Sequence, residues 1–217
     1  MILYFVRHAS AGQTKLNPKK DERRPLDSEG VYQCTQMGRI LSTMEATVDA
    51  VISSPLKRAT QTASLIANEI GHEGKLSIEN ALRPGAKYDD FRDMFSKYSK
   101  FESLMLVGHN PNFSEFLGRM VVANGDRAYF DLKKGAVAKV ESDQKKFVLN
   151  WLLTPRLAKA SADASIREGS TAHFASQNGI GTPLDVRAES KKGKKKKKEK
   201  HSQAGLTKRS RPKTSRK

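Results

Sequence analysis

The chain has 217 residues, one cysteine and a formal net charge of +17, from 40 Lys+Arg against 23 Asp+Glu. The length suits one sizeable domain with an appendage, and the single Cys34 excludes an internal disulfide. No apolar stretch approaches the ~20 residues of a membrane span. Charge separates the two parts: residues 1–158 carry 23 Lys+Arg against 18 Asp+Glu, and residues 159–217 carry 17 against 5. The expectation is a globular domain over 1–158 and a basic, low-complexity, disordered tail over 159–217.

In chain order, Ile2–Val6 is a short aliphatic run that ends in Arg7-His8, and it predicts a buried strand. It is too short for the apolar core of a secretory leader, and with one cysteine a reducing cytoplasm is the expected location. Ala9 to Pro25 reads as a polar loop. Asp27-Ser28-Glu29 offers capping residues for a helix through Val31, Cys34, Leu41 and Met44, with Cys34 a buried hydrophobe on that face. Val48–Ile52 predicts a second strand, ending in Ser53-Ser54-Pro55. Proline is placed just inside the next helix, whose apolar face is Leu56, Ala59, Ala63, Ile66 and Ile70.

Gly71 and Gly74 stop that helix. Leu76–Ile78 is an edge-strand candidate and Asp89–Tyr98 a short helix. Leu104–Val107 is a third buried strand, leaving through Gly108-His109-Asn110-Pro111. Phe113, Phe116, Leu117, Met120 and Val121 give another helix, on which Glu115 and Arg119 are spaced for a surface ion pair. Ala136–Val140 and Phe147–Leu153 form a hairpin about Ser142-Asp143-Gln144, with Trp151 in the core. Strands alternating with helices imply an α/β three-layer sandwich: a mainly parallel sheet with helices on both faces and a C-terminal antiparallel hairpin. Beyond Pro155 the apolar pattern ends, and the composition cannot offset chain entropy.

Four pieces meet at the carboxyl edge of such a sheet, where ligands bind in open α/β folds. They are Arg7-His8, Arg24 in the loop after the first strand, Arg58 in the first turn after Ser53-Ser54-Pro55, and His109. Guanidinium matches phosphoryl oxygens in a bidentate way, so the arginines suit a phosphate-sized anion. One imidazole is a competent nucleophile toward phosphorus, and the other, protonated among phosphoryl oxygens, would stabilise the transferring group. No cofactor is implied, and no metal, because carboxylate or Cys/His clusters with ligand spacing are absent. His72, His173 and His201 lie outside the pattern and read as surface or tail residues.

Phe5-Val6-Arg7-His8-Ala9, Arg24-Pro25-Leu26, the run from Ser53 to Ala63 and Val107-Gly108-His109-Asn110-Pro111 resemble the histidine phosphatase superfamily. The short length, the Arg-Pro-Leu element and the ending Asn150-Trp151 followed by Pro155 look like its SixA branch of phosphohistidine phosphatases. The resemblance covers roughly residues 1–158. It implies that His8 accepts the phosphoryl group, that Arg7, Arg58 and His109 hold its oxygens, and that Arg24 is an additional contact.

Ala9 departs from the family's usual glycine. The interval between the Arg58 and His109 motifs, where larger members insert an acidic proton donor, is short, and its candidates are Glu79, Asp89 and Asp90. Asp89 and Asp90 also read as first-turn acids that complement a helix dipole. A site without a firm general acid is biased toward good leaving groups such as the imidazole of phosphohistidine. The expected partner is therefore a phosphohistidine-bearing protein, served by a monomeric, metal-independent phosphatase. The alternatives are a broad small-molecule phosphomonoesterase and a phosphatase-like binding module. In the latter, Lys191–Lys200 would attach to nucleic acid, ribosomes or another polyanion.

Overall fold

The computed structural model describes residues 1–122, 128–142, 146–161 and 163. Its strands are β1 (Ile2–Arg7), β2 (Ala50–Ser53), β3 (Ser77–Ile78), β4 (Ser103–Gly108), β5 (Val137–Ser142) and β6 (Phe147–Leu153). The helices are α1 (Pro18–Glu22), α2 (Ser28–Thr43), α3 (Lys57–Glu69), α4 (Tyr88–Lys97) and α5 (Asn112–Val121), and a helical segment spans 155–161. The six strands form one sheet in the order β3-β2-β4-β1-β5-β6. β3, β2, β4 and β1 run parallel, and β5 and β6 are antiparallel additions.

Side chains alternate across a strand, so each central strand feeds two cores. Tyr4, Val6, Met105 and Val107 point to one face and pack with Met37 and Leu41 of α2 and Ala63 and Ile66 of α3. Leu3, Phe5, Leu104 and Leu106 point to the other, against Phe91 and Met94 of α4 and Phe113, Phe116 and Leu117 of α5. Phe5 sits 5.1 Å from Phe113 and 6.0 Å from Phe91, and Phe91 stacks on Phe116 at 4.7 Å. This is the three-layer α/β sandwich that the alternating runs imply, and the short buried runs are strands because both their faces are covered.

Local details differ from the sequence expectation. The loop after β1 contains α1, capped by the Asn17 side chain, with no buried residue to announce it. Helix α3 begins at Lys57, so Pro55 precedes it rather than occupying its first turn. On α2 the buried residues are Gly30, Cys34, Met37, Gly38 and Leu41, whereas Val31 and Met44 are exposed. Glycine is needed at Gly30 because a Cβ there would lie 1.9 Å from the Ser10 carbonyl oxygen. Trp151 is only partly buried, 6.1 Å from the Tyr4 ring.

His72 is no free surface residue: its Nδ1 lies 3.0 Å from the Val48 carbonyl oxygen. The Glu115–Arg119 pair forms at 2.8 Å. The hairpin strands pair antiparallel as expected, with a register shift between Lys139 and Val140, while residues 143–145 lie outside the described residues. Helical structure continues past Pro155 through 155–161, where the sequence pattern was expected to fail. Lys191–Lys200, His173 and His201 lie outside the described residues. Among the described residues, no helix is long and apolar enough to cross a membrane.

Candidate active site

Strands β1, β2 and β4 end on one edge, and the backbone continues to pair just beyond them. The His8 N–H donates to the Gly108 carbonyl at 3.0 Å, and the Ser54 N–H donates to that of Val107 at 3.0 Å. His8 and Ser54 are thereby fixed on either side of His109. Gly108 allows the turn: a Cβ there would meet the Phe113 ring at 2.7 Å. His109 then begins the entry to α5, its carbonyl accepting from the Phe113 N–H at 2.9 Å.

The two imidazoles lie 4.8 Å apart between ring centroids, and they are only 8 % and 2 % exposed. His8 Nδ1 is 2.8 Å from the Ala9 carbonyl oxygen. A carbonyl can only accept, so Nδ1 carries the proton and Nε2 holds the in-plane lone pair. His109 Nε2 meets the Ser54 hydroxyl at 2.9 Å, while its Nδ1 is buried with no partner among protein atoms. Burial, outweighing the hydrogen bond to Ala9 and reinforced by Arg58, Arg7 and Arg24, pushes His8 down to about 3. Burial, then His8, Arg58 and Arg7, push His109 down to about 2. Both rings are therefore neutral near pH 7 in the free protein. The expected imidazolium at His109 forms only if an anion offsets the arginines.

Arg7 donates through Nη1 to the Leu132 carbonyl at 2.7 Å, and Asn110 Nδ2 donates to the same oxygen at 3.0 Å. Arg58, in the first turn of α3, donates to the Asp21 carbonyl at 3.0 Å and pairs with its carboxylate at 3.2 Å. Arg24 binds that carboxylate at 2.9 Å and the Ala11 carbonyl at 2.6 Å. The Nε groups of Arg7 and Arg58 are buried without protein partners, like Nδ1 of His109. Burial lowers the pKa of both arginines, yet a guanidinium stays charged at neutral pH. Thr62 ties the two motifs together, accepting from the Ala9 N–H at 3.1 Å and donating to the Arg58 carbonyl at 2.8 Å.

The structure thus gathers Arg7, His8, Arg24, Arg58 and His109 at one edge. A nucleophilic nitrogen beside cationic donors, on the exit of a parallel strand, can receive a phosphate-sized anion. Residues 3–90 match the model of the histidine phosphatase superfamily (branch 1). Over that span the chain is similar to the histidine phosphatase superfamily.

The sandwich is similar to that of the protein histidine phosphatase SixA complexed with tungstate, with a TM-score of 0.61 and 19 % identity, over 71 % of this chain and 97 % of that one. It is also similar to the alpha-ribazole phosphatase from Shigella flexneri, with a TM-score of 0.55 and 16 % identity over 71 % and 97 % of the two chains. An uncharacterized protein from Picosynechococcus sp. (strain ATCC 27264 / PCC 7002 / PR-6) is 27 % identical over 169 residues, 70 % of this chain and 99 % of that protein. The structural likenesses concern the fold.

The three acidic candidates that the sequence offers between Arg58 and His109 are engaged elsewhere. Asp90 accepts from the Lys87 N–H at 3.3 Å as part of the α4 cap, and Asp89 pairs with Arg92 at 3.4 Å. Glu79 accepts from the Tyr98 hydroxyl at 3.1 Å. Sequence reasoning missed Asp21, the carboxylate that does reach the site. Burial would raise its pKa, but hydrogen bonds from Arg24 and the Lys15 N–H, with the arginine charges, hold it below the usual aspartate range. It is an ionised clamp on two arginines. Its signal was only its place three residues before Arg24 in a polar loop. Among the described residues, no cluster of His, Cys, Asp and Glu could hold a metal ion.

Proposed function

We propose that this chain is a metal-independent phosphatase that works through a phosphoryl-His8 intermediate, and that its substrate is phosphohistidine in a protein. The observation that carries the reading is the His8 hydrogen bond to the Ala9 carbonyl, which leaves Nε2 as the lone-pair nitrogen of a buried ring on which the charges of Arg58, Arg7 and Arg24 act. Arg7, Arg58 and His109 would hold the phosphoryl oxygens, with Arg24 at the rim. Such groups supply positioning and charge, which is most of what phosphoryl transfer requires.

In the first step His8 Nε2 bonds to phosphorus as the bond from phosphorus to the substrate nitrogen breaks. A phosphohistidine protonated on its other ring nitrogen keeps that electron pair and departs as neutral imidazole, so no enzyme acid is needed. In the second step a water oxygen bonds to phosphorus, the electron pair returns to Nε2, and the water proton passes to solvent. The engagement of Glu79, Asp89 and Asp90 elsewhere favours a leaving group of this kind over an alkoxide.

The test mixes the protein with a phosphohistidine-bearing phosphotransfer protein and a chelator. Phosphate release is expected with wild type and not with His8→Ala, and equal release from both sinks the mechanism. Faster turnover of alkyl phosphates than of phosphohistidine or phosphoramidate would instead make it a small-molecule phosphomonoesterase.

A further inference from the structure

A second cationic feature adjoins the site without being part of it. Arg7 also borders a groove of about 680 Å³ lined by Tyr32, Gln33, Lys134, Pro155, Arg156 and Lys159. The volume lies in the range of ligand-binding clefts. Gly135, at φ +72°, packs against two of the lining residues: a Cβ there would lie 3.0 Å from Pro155 and 3.1 Å from Gln33 Oε1. The Gly135 N–H donates to the carbonyls of Arg7 and His8 at 3.1 and 3.2 Å. The groove therefore lies beside the strand exit that carries the nucleophile, sharing Arg7 with it.

Its charges come from three separate elements. Lys133 is paired with Asp131, and Lys134 acts on Asp27. Among the described residues, Arg156 and Lys159 have no carboxylate within ion-pair distance, and both are exposed. Glu29 is the acid among the lining residues, and it accepts from Gln33 at 3.0 Å. Long cationic side chains beside Tyr32, Pro155 and two glutamines suit several carboxylates on a flexible segment. They suit bases poorly, because Tyr32 is the groove's one aromatic ring and stacking on single strands uses several.

We propose that this groove receives an acidic segment next to the phosphorylated residue of a protein substrate, so that flanking carboxylates set which phosphoprotein is bound. The proposal rests on the phosphohistidine reading above. Charges at an interface rim act mainly on encounter and selection, and they are screened by salt.

The test compares wild type with Lys134→Glu/Arg156→Glu/Lys159→Glu, both as full chains with the basic tail present, so that their difference isolates the groove. Wild type should turn over a phosphohistidine peptide flanked by glutamates with a kcat/KM about tenfold above that of a glycine-flanked one. The triple variant should erase that preference through KM and leave phosphoramidate hydrolysis unchanged. A preference equal in both proteins overturns the proposal. Binding of a fluorescent, unphosphorylated Glu-Gly peptide is read in parallel. It should weaken about tenfold in the variant even if no phosphohistidine is hydrolysed, which separates failure of the groove from failure of the enzymatic reading. A uridine oligonucleotide whose binding depends on these residues, with no effect on the peptide, would show a nucleic-acid surface instead.

Discussion

The carboxyl edge of β1, β2 and β4 and the loop from Ala9 to Leu26 both bring charge to the same phosphate-sized site, but they hold it differently. Strand exits fix His8, Ser54 and His109 through backbone bonds that continue the sheet, and these side chains are buried. The loop presents Asp21 and Arg24 from α1 and its end, a five-residue helix with no buried residue. Ala9, Ala11 and Leu26 anchor it in the core, and polar contacts order the rest: Asp27 gathers Ser10, Gly12 and Gly30, and Gln61 accepts from the Leu26 N–H. A rigid edge can hold reacting atoms to the tolerance that chemistry demands, while a polar loop tunes and closes.

If the comparison is right, substitutions should fall in a definite order. His8→Asn should lower turnover by about a thousandfold or more, because the bond-forming nitrogen is gone. Retained far-UV circular dichroism would show that the sheet tolerates it. Arg58→Ala should cost about a hundredfold in kcat/KM, as loss of one preorganised donor commonly does. Arg24→Ala and Asp21→Asn, acting from the loop, should each cost about tenfold or less. Equal losses for Arg24→Ala and Arg58→Ala would break the distinction between edge and loop.

Stability should also carry the signature of the edge. Both histidines are neutral when folded, with pKa values pushed to about 3 and about 2, whereas the unfolded chain protonates them near 6.5. As pH falls from about 6.5 toward 3 the unfolded state binds more protons, so folding stability drops. Each imidazole contributes up to about 1.4 kcal/mol per pH unit across that window. Denaturant melts of wild type against His8→Asn/His109→Asn should show a shallower acid dependence in the variant. A slope unchanged by the substitutions would mean that the imidazoles are not held neutral. The smallest effect is expected at Asp90→Ala, which loses a helix cap worth about 1 kcal/mol or less and leaves turnover unaltered.

Legibility followed burial. Runs such as Leu104–Val107 were readable because a strand covered on both faces is apolar at every position. Helix α2 was placed correctly, yet its buried face was misread at Val31 and Met44. Two glycines occupy that face instead: Gly30 lies against Ser10, and Gly38 lies where a Cβ would strike Glu69 at 2.5 Å. Hydrophobic periodicity cannot register a contact made by a missing side chain. Helix α1 was unreadable for a related reason, having no apolar face at all.

The sequence by itself determined the strand–helix alternation, the motifs ending in His8, Arg58 and His109, and the likeness to a phosphatase superfamily over residues 3–90. Each of these is written in local residue order. Only the tertiary structure decided that Asp21 clamps Arg24 and Arg58, that Ser54 meets His109, and that Asp89 and Asp90 serve α4. It alone brought Lys134, Arg156 and Lys159 beside Arg7. Such pairings join groups distant along the chain, so their energies depend on the fold that brings them within reach and leave no periodic trace in the residues.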